Sequence, residues 1–186
     1  EVFFCNSGAE ANEGAIKLVR RFANLNGMRG PAIITANNSF HGRTLATLAA
    51  TAQEKYRIGF DPIPDGFKAV PYGDFDALAA AVTPEVGGIM LEPIQGEGGI
   101  NVPIEGYFRK VRELCDREGV LLVLDEIQTG MARTGRLFAY QHEGITPDIM
   151  TLAKALGNGF PVGAVLARPE ITRVLGPGAH ASTFGG

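Results

Sequence analysis

Apolar residues in this 186-residue chain form short unbroken runs and stretches with helical spacing. Short apolar runs bounded by glycine or proline predict buried strands, and apolar residues three or four positions apart predict amphipathic helices. We predict strands over residues 2–5, 32–35, 88–92, 120–125, 149–152 and 162–167. We predict helices from the turn at 6–8 to about residue 25, over 43–51, from a cap at Asp74 to residue 82, and over 105–118. Residues 56–72 contain three prolines and are predicted to be irregular.

The order of these elements indicates the fold class. Strands alternate with helices, and such connections favour right-handed crossovers between parallel neighbours. The run over 120–125 is apolar up to its last residue, which is typical of a parallel strand that is covered on both faces. We therefore predict an α/β domain with a mainly parallel sheet flanked by helices, and 120–125 as its central strand.

Composition excludes several classes of function. The net charge of −3 gives no reason to expect nucleic acid or an anionic membrane as a partner. No apolar run reaches the roughly 18 residues that a membrane span requires. Cys5 and Cys115 lack the spacing of a metal site or a redox motif, so we expect reduced, semi-buried thiols in a cytoplasmic protein.

Two ionisable residues follow predicted strands at the places where parallel sheets bind ligands. Asp125 ends one strand, and Lys154 comes shortly after another and is followed by glycines. A lone lysine is usually a solvated surface charge, and a strand-end aspartate is often a turn residue. The two residues together are stronger evidence for a ligand site than either residue alone. A lysine suited to bonding an aldehyde and a carboxylate suited to a pyridinium nitrogen predict pyridoxal phosphate.

The turn before the first helix is rich in small residues. Gly8 and Ala9 would let the backbone approach a phosphate at the helix N-terminus. An ordinary strand–helix turn would have the same composition, and no glycine-rich nucleotide motif is present.

The loop over 40–43 combines an aromatic ring, an imidazole and a guanidinium. Phe40 could stack on a planar ring, and Arg43 could bind a carboxylate as a bidentate fork. The alternative is one buried phenylalanine and one solvated arginine. For His41 we expect only structural hydrogen bonds within the loop.

A third loop places Glu92 and Glu97 near the carboxyl end of a strand. Paired carboxylates can serve acid–base chemistry or bind a metal ion. No histidine lies nearby in the sequence and the EF-hand pattern is absent, so we do not expect a metal site. The glycines around Glu97 predict a mobile side chain near a site.

Six motifs occur in order across nearly the whole chain. They are SGAEANE at 7–13, SFHGRT at 39–44, LEPIQGEGG at 91–99, LDEIQTG at 124–130, TLAK at 151–154 and STFGG at 182–186. Together they resemble the class III pyridoxal-phosphate-dependent aminotransferases of fold type I, and within that class most closely the acetylornithine aminotransferases.

The resemblance implies roles for individual residues. Lys154 would be the Schiff-base lysine, Asp125 would pair with the pyridine nitrogen, and Gln128 would reach the phenolic oxygen of the cofactor. Gly8 and Ala9 would contact the phosphate, and Phe40 would contact the ring. Arg43 would bind the substrate α-carboxylate, and Glu97 would pair with an arginine of the C-terminal domain. From the neighbouring subunit, Ser182 would contact the substrate and Thr183 the phosphate.

The resemblance also implies a reaction and an assembly. An (acetyl)ornithine-like ω-amino donor would pass its amino group to 2-oxoglutarate, as in arginine biosynthesis, within a homodimer that shares its active sites. Ornithine, succinylornithine and 4-aminobutyrate aminotransferases, a racemase or aminomutase, and an inactive fragment that binds cofactor weakly are the alternatives. Family members carry an N-terminal segment and a C-terminal small domain. We expect residues 1–186 to be the cofactor-binding large-domain core without them.

Overall fold

The computed structural model describes residues 1–185. Its strands are β1 (Val2–Cys5), β2 (Ala32–Ala36), β3 (Phe67–Val70), β4 (Val86–Leu91), β5 (Leu121–Asp125), β6 (Ile149–Leu152) and β7 (Gly163–Ala167). Its α-helices are α1 (Gly8–Leu25), α2 (Leu45–Ala50), α3 (Glu54–Arg57), α4 (Phe75–Ala81), α5 (Tyr107–Glu118) and α6 (Pro169–Thr172). Short 3-10 helices cover Ala139–His142 and Lys154–Leu156.

The strands form one sheet in the order β1-β7-β6-β5-β4-β2-β3. Neighbours from β6 to β3 are parallel, whereas β7 runs antiparallel to both β6 and β1. The predicted α/β fold with a mainly parallel sheet is confirmed, and β5 is its middle strand. Because β5 and β6 are parallel and in register, with Asp125 opposite Thr151, their carboxyl ends lie side by side.

Alternate residues of the strands pack against helices on opposite faces of the sheet. Val123 belongs to the core under α1, whereas Leu122 and Leu124 belong to the core under α5. A Cβ atom at Gly88 would lie 2.7 Å from a methyl group of Val19, so α1 can approach β4 only over a glycine. This close packing brings the first turn of α1 to the sheet.

Most predicted elements are present, with shorter helices than expected. Asp74 caps α4 by accepting a hydrogen bond from the Ala77 amide at 2.9 Å, and Gly119 ends α5 with φ 67°. Cys5 and Cys115 are both free and fully buried rather than semi-buried. No helix within the described part of the chain is long and apolar enough to cross a bilayer.

The prediction of an irregular segment over 56–72 was correct for residues 58–66 and wrong for 56–57 and 67–70. Helix α3 extends into its start, and β3 occupies 67–70. Strand β3 lies at the edge of the sheet with two of its four residues exposed, so it lacks the continuous apolar run of the inner strands. It forms a strand because it pairs with β2, and this long-range pairing cannot be recognised from the sequence of residues 67–70 alone.

Candidate active site

A cavity of about 600 Å³ opens at the carboxyl ends of the parallel strands, beside the start of α1. Eight of the sequence-predicted site residues line it: Gly8, Ala9, Phe40, Arg43, Glu97, Asp125, Gln128 and Lys154. Its buried polar residues Asn12, His41, Glu92, Asp125 and Thr151 form what we call the cavity floor, although Thr151 lies just behind the lining. Its exposed residues Arg43, Glu97, Lys154 and Phe160 form the cavity rim.

Asp125 is the centre of the cavity floor. Its side chain is 4% exposed, and Oδ2 accepts hydrogen bonds from His41 Nδ1 and Asn12 Nδ2, both at 2.8 Å. Its Oδ1 accepts a third from the Ile127 amide at 3.1 Å. Three donors offset the cost of burying a carboxylate and hold it in one orientation.

His41 makes a contact that the sequence analysis did not foresee. We expected loop hydrogen bonds, but the buried ring pairs with Asp125 across the site. Burial lowers the pKa of His41, and the hydrogen bond and charge of Asp125 outweigh this, so its pKa is raised above the ordinary value. The other ring nitrogen, Nε2, is buried without a partner among the described residues.

Asn12 and Thr151 complete the floor and were also missed. Asn12 Nδ2 donates to Asp125 and to the His41 carbonyl, the latter at 2.7 Å, while its Oδ1 accepts from Thr151 Oγ1 at 2.7 Å. Asn12 lies one turn after Gly8 on α1, and Thr151 lies opposite Asp125 in the sheet. The spacing of one helical turn from Gly8 was the local signal that could have indicated Asn12. Thr151 could be identified only from the register of β5 and β6.

Lys154 lies on the rim, two residues after β6. Its backbone has φ 45°, in the left-handed region that residues other than glycine rarely adopt. Non-glycine residues held in this region cluster at functional sites, because the surrounding structure must offset the strain. A Cβ atom at Gly157 would overlap the Phe160 carbonyl, so the loop after Lys154 can fold back tightly only over a glycine.

Phe40 and Arg43 extend the site outward through an aromatic cluster. The ring of Phe40 meets Tyr56 edge-on at 5.7 Å, and the guanidinium carbon of Arg43 lies 5.3 Å from the centre of the Tyr56 ring. Arg43 also lies 6.0 Å from the Phe40 ring centre. The segment that we predicted to be irregular therefore supplies Tyr56, which supports both residues.

Glu92 and Glu97 differ sharply in environment. Glu92 is 7% exposed, and burial raises its pKa to about 7 despite the nearby positive charge of His41. Glu97 is exposed on the rim. Between them, Gly96 lies against the Gln128 side chain so closely that any Cβ atom there would overlap the Gln128 amide oxygen.

Gln128 is held by a loop that Glu126 anchors. The Glu126 carboxylate is 1% exposed and accepts from Thr129 Oγ1 at 2.5 Å, the Ala139 amide at 3.0 Å and the Tyr140 amide at 2.9 Å. These bonds tie the start of the loop to the 3-10 helix at its end, which fixes the segment that carries Gln128.

Gly8 and Ala9 begin an 18-residue helix whose N-terminus faces the cavity. Ser7 caps it by accepting from the Glu10 amide at 3.2 Å. The amides at the first positions of a helix have no partner within the helix and carry partial positive charge. A Cβ atom at Gly8 would lie 2.9 Å from Ile127 Cδ1, so glycine lets the Ile127 side chain pack closely against the start of α1.

Ser182 and Thr183 lie outside the cavity of their own chain. Ser182 Oγ accepts from Asn6 Nδ2 at 3.2 Å, and Thr183 is exposed. Their assignment to the site of a neighbouring subunit stays a prediction. The last residue of their motif, Gly186, lies outside the described residues.

The sequence of residues 1–186 matches the family model for "Aminotransferase class-III" from end to end. The chain belongs to the class-III aminotransferases. Among curated relatives, the acetylornithine aminotransferase of Caldanaerobacter subterraneus is 59% identical over 187 residues, covering 100% of this chain and 47% of the relative. That of Methanocaldococcus jannaschii is 56% identical, covering 99% of this chain and 46% of the relative.

A solved structure of similar shape is the ornithine aminotransferase from Toxoplasma gondii, which was described with partial occupancy of PLP at its active site. It is 42% identical with a TM-score of 0.97, and the match covers 100% of this chain and 45% of that one. This class-III aminotransferase chain therefore spans about half the length of the relatives that it matches.

Proposed function

We propose that this chain is the cofactor-binding core of an acetylornithine aminotransferase that depends on pyridoxal phosphate. The amino donor would be an (acetyl)ornithine-like ω-amine and the acceptor 2-oxoglutarate, as in arginine biosynthesis, in the cytoplasm. The observation that carries the proposal is the placement of Lys154 and a buried, triply hydrogen-bonded Asp125 in one cavity. The names of the curated relatives support the choice of donor.

The residues of the cavity fit pyridoxal phosphate. Gly8 and Ala9 would hold the phosphate at the N-terminus of α1, where both residues line the cavity. Asp125 would hold the pyridine nitrogen, and Gln128 the phenolic oxygen. Phe40 would lie against the ring, and Lys154 would bond to the aldehyde carbon through Nζ. The bound cofactor would act as an electron sink for the negative charge left on the substrate carbon.

Different residues of the chain would hold or transfer protons and bind the substrate. Asp125, fixed by His41 and Asn12, keeps the proton on the pyridine nitrogen. Lys154 Nζ, released when the substrate amine takes its place, would remove the proton from the substrate carbon as a general base and then return it as a general acid. Arg43 binds a substrate carboxylate through two parallel N–H groups, and Glu97 on the rim would pair with an arginine in one half-reaction.

We propose further that two copies form a homodimer with shared sites. Thr183 would contact the cofactor phosphate of the partner subunit, and Ser182 its substrate. The exposure of Thr183 outside its own cavity supports this arrangement. Phe160 on the rim is 82% exposed and Phe184 is 90% exposed, and covering these rings with a partner subunit would remove apolar surface from water.

Replacement of Lys154 by alanine tests the proposal. Reduction with borohydride should attach the cofactor to the unaltered protein and to a Lys68→Ala control, which lacks an exposed lysine on the edge strand β3. Lys154→Ala should give no adduct and no transamination. A normal yield of lysine adduct in Lys154→Ala would refute the cofactor assignment.

The donor is tested separately with 2-oxoglutarate as acceptor. We expect acetylornithine to have a higher kcat/KM than ornithine, succinylornithine or 4-aminobutyrate. A normal adduct without transfer from any of them would leave the cofactor assignment intact and refute the aminotransferase reaction.

A further inference from the structure

Glu92 is a buried carboxylate in the cavity floor for which the proposed chemistry has no use. It follows β4 directly, and its two oxygens face different segments of the chain. Oε2 accepts a hydrogen bond from the Phe40 amide at 3.1 Å, and Oε1 accepts one from the Gly96 amide at 3.4 Å. One side chain therefore bridges two loops that are 52 and 4 residues away in sequence.

The two bridged loops form different parts of the site. The first presents the Phe40 ring, and its next residue, His41, pairs with Asp125. The second contains Gly96, which packs against the Gln128 amide, and Glu97 on the rim. Glu92 therefore links the loop of Phe40 to the loop that packs against Gln128, alongside the hydrogen bond that Gln95 Nε2 donates to the Asn37 carbonyl at 2.8 Å.

The bridge requires a carboxylate because both of its partners are donors. A glutamine of the same size has one acceptor oxygen, and its NH₂ group would face one of the two amides. That mismatch would leave a backbone amide unpaired in a buried place. Burial and the nearby charge of Asp125 oppose a negative charge on Glu92, whereas the nearby charge of His41 and the two backbone amides favour it.

We propose that Glu92 is a positioning residue, which holds Phe40 and the Gly96–Glu97 loop in place around the cofactor. This inference rests on the proposed function, because it assigns Glu92 a role in holding the same cofactor. Glu92 acts through Phe40 and Gly96 and takes no part in proton transfer.

The test uses pyridoxamine 5′-phosphate, which has no aldehyde and cannot bond to Lys154, so that non-covalent contacts alone set its affinity. Glu92→Gln should bind it roughly tenfold more weakly, the loss expected for one hydrogen bond to a charged group. Glu85→Gln is the matched control, since it removes an exposed carboxylate just before the other end of β4, and should bind as the unaltered protein does.

A double-mutant cycle separates positioning from a general loss of structure. If Glu92 acts partly through the Phe40 ring, Glu92→Gln should cost clearly less in a Phe40→Leu background than in the unaltered protein. Equal costs in both backgrounds, or unchanged affinity in Glu92→Gln, would overturn the inference. If Glu92→Gln does not fold, Glu92→Asp carries the same cycle, because it keeps the charge but is one methylene too short to bridge both loops.

The outcome also distinguishes this inference from the proposed function. If the unaltered protein binds neither pyridoxamine phosphate nor pyridoxal phosphate, the proposed function fails and the positioning role fails with it. If the unaltered protein binds both and the cycle is additive, the proposed function stands and only the role of Glu92 is rejected.

Discussion

The cavity floor and the cavity rim are built in different ways. In the floor, Asp125, His41, Asn12 and Thr151 are nearly inaccessible to solvent and joined by hydrogen bonds of 2.7–2.8 Å. On the rim, Arg43, Glu97 and Lys154 are exposed, and Phe160 is 82% exposed. The fold of this chain alone orients the floor, whereas rim groups acquire their final partners from what binds there. Changes in the floor should therefore affect chemistry and stability, whereas changes on the rim, apart from those at Lys154, should affect binding.

The largest effect expected in the cavity floor comes from Asp125→Asn. An amide cannot hold a proton on the pyridine nitrogen as a carboxylate can, so kcat should fall at least about 100-fold while the cofactor still binds. Single-turnover absorbance measurements would follow the chemical step. Near-normal rates would mean that the floor does not take part in the chemistry.

The floor should also give the cofactor-free protein a pH-dependent stability. Burial raises the pKa of Glu92 from 4.5 to about 7, so its contribution to stability is complete below about pH 4.5 and is lost as the pH rises through 7. The size is on the order of 2–3 kcal/mol. Urea unfolding of the unaltered protein and of Glu92→Gln should show a difference in free energy that changes across this window. Parallel pH profiles would contradict it.

On the rim, Arg43→Lys should weaken substrates that carry a carboxylate. Lysine keeps the charge but loses the planar fork, so KM should rise roughly tenfold with little change in kcat. Amines without a carboxylate should be unaffected. If both classes of substrate suffer equally, the stacking of Arg43 on Tyr56 is structural and the carboxylate assignment is wrong.

The smallest effect should come from Thr183→Ala, which would remove one hydroxyl from the proposed shared site. We expect cofactor affinity to fall by roughly threefold, the loss of one neutral hydrogen bond. Mixed dimers with Lys154→Ala subunits sharpen the test, because one site then carries both changes and the other carries neither. In verified mixed dimers, the site that keeps Lys154 should bind the cofactor as tightly as the unaltered protein does, and the weaker affinity of Thr183→Ala at that site would count against shared sites.

The sequence predicted the site residues that lie at the ends of strands, but it did not predict the distant residues that contact them. Asp125 and Lys154 were predicted because both follow strands, and parallel sheets bind ligands at that edge. The partners of Asp125 were missed because Asn12 is 113 residues away and His41 is 84 residues away. Thr151, 139 residues from Asn12, looked like one more residue of a buried strand.

The fold was likewise predicted where the local sequence carried a signal and missed where it did not. Inner strands such as β5 can be recognised in the sequence by continuous apolar runs, because both of their faces are covered. Edge strand β3 has no such run and was predicted to be irregular. The roles assigned to rim residues such as Glu97, and to Ser182 and Thr183, stay predictions, because they depend on contacts beyond those within this chain.

The packing of Gly96 against the Gln128 amide has a consequence for how this site can evolve. While the Gln128 amide keeps this position, no side chain fits at 96, so a residue gained at 96 must turn the Gln128 side chain aside or be accompanied by a smaller residue at 128. The two positions should therefore covary, and a mutational library that varies 96 alone would also measure the cost of displacing Gln128. Such a library should randomise both codons together.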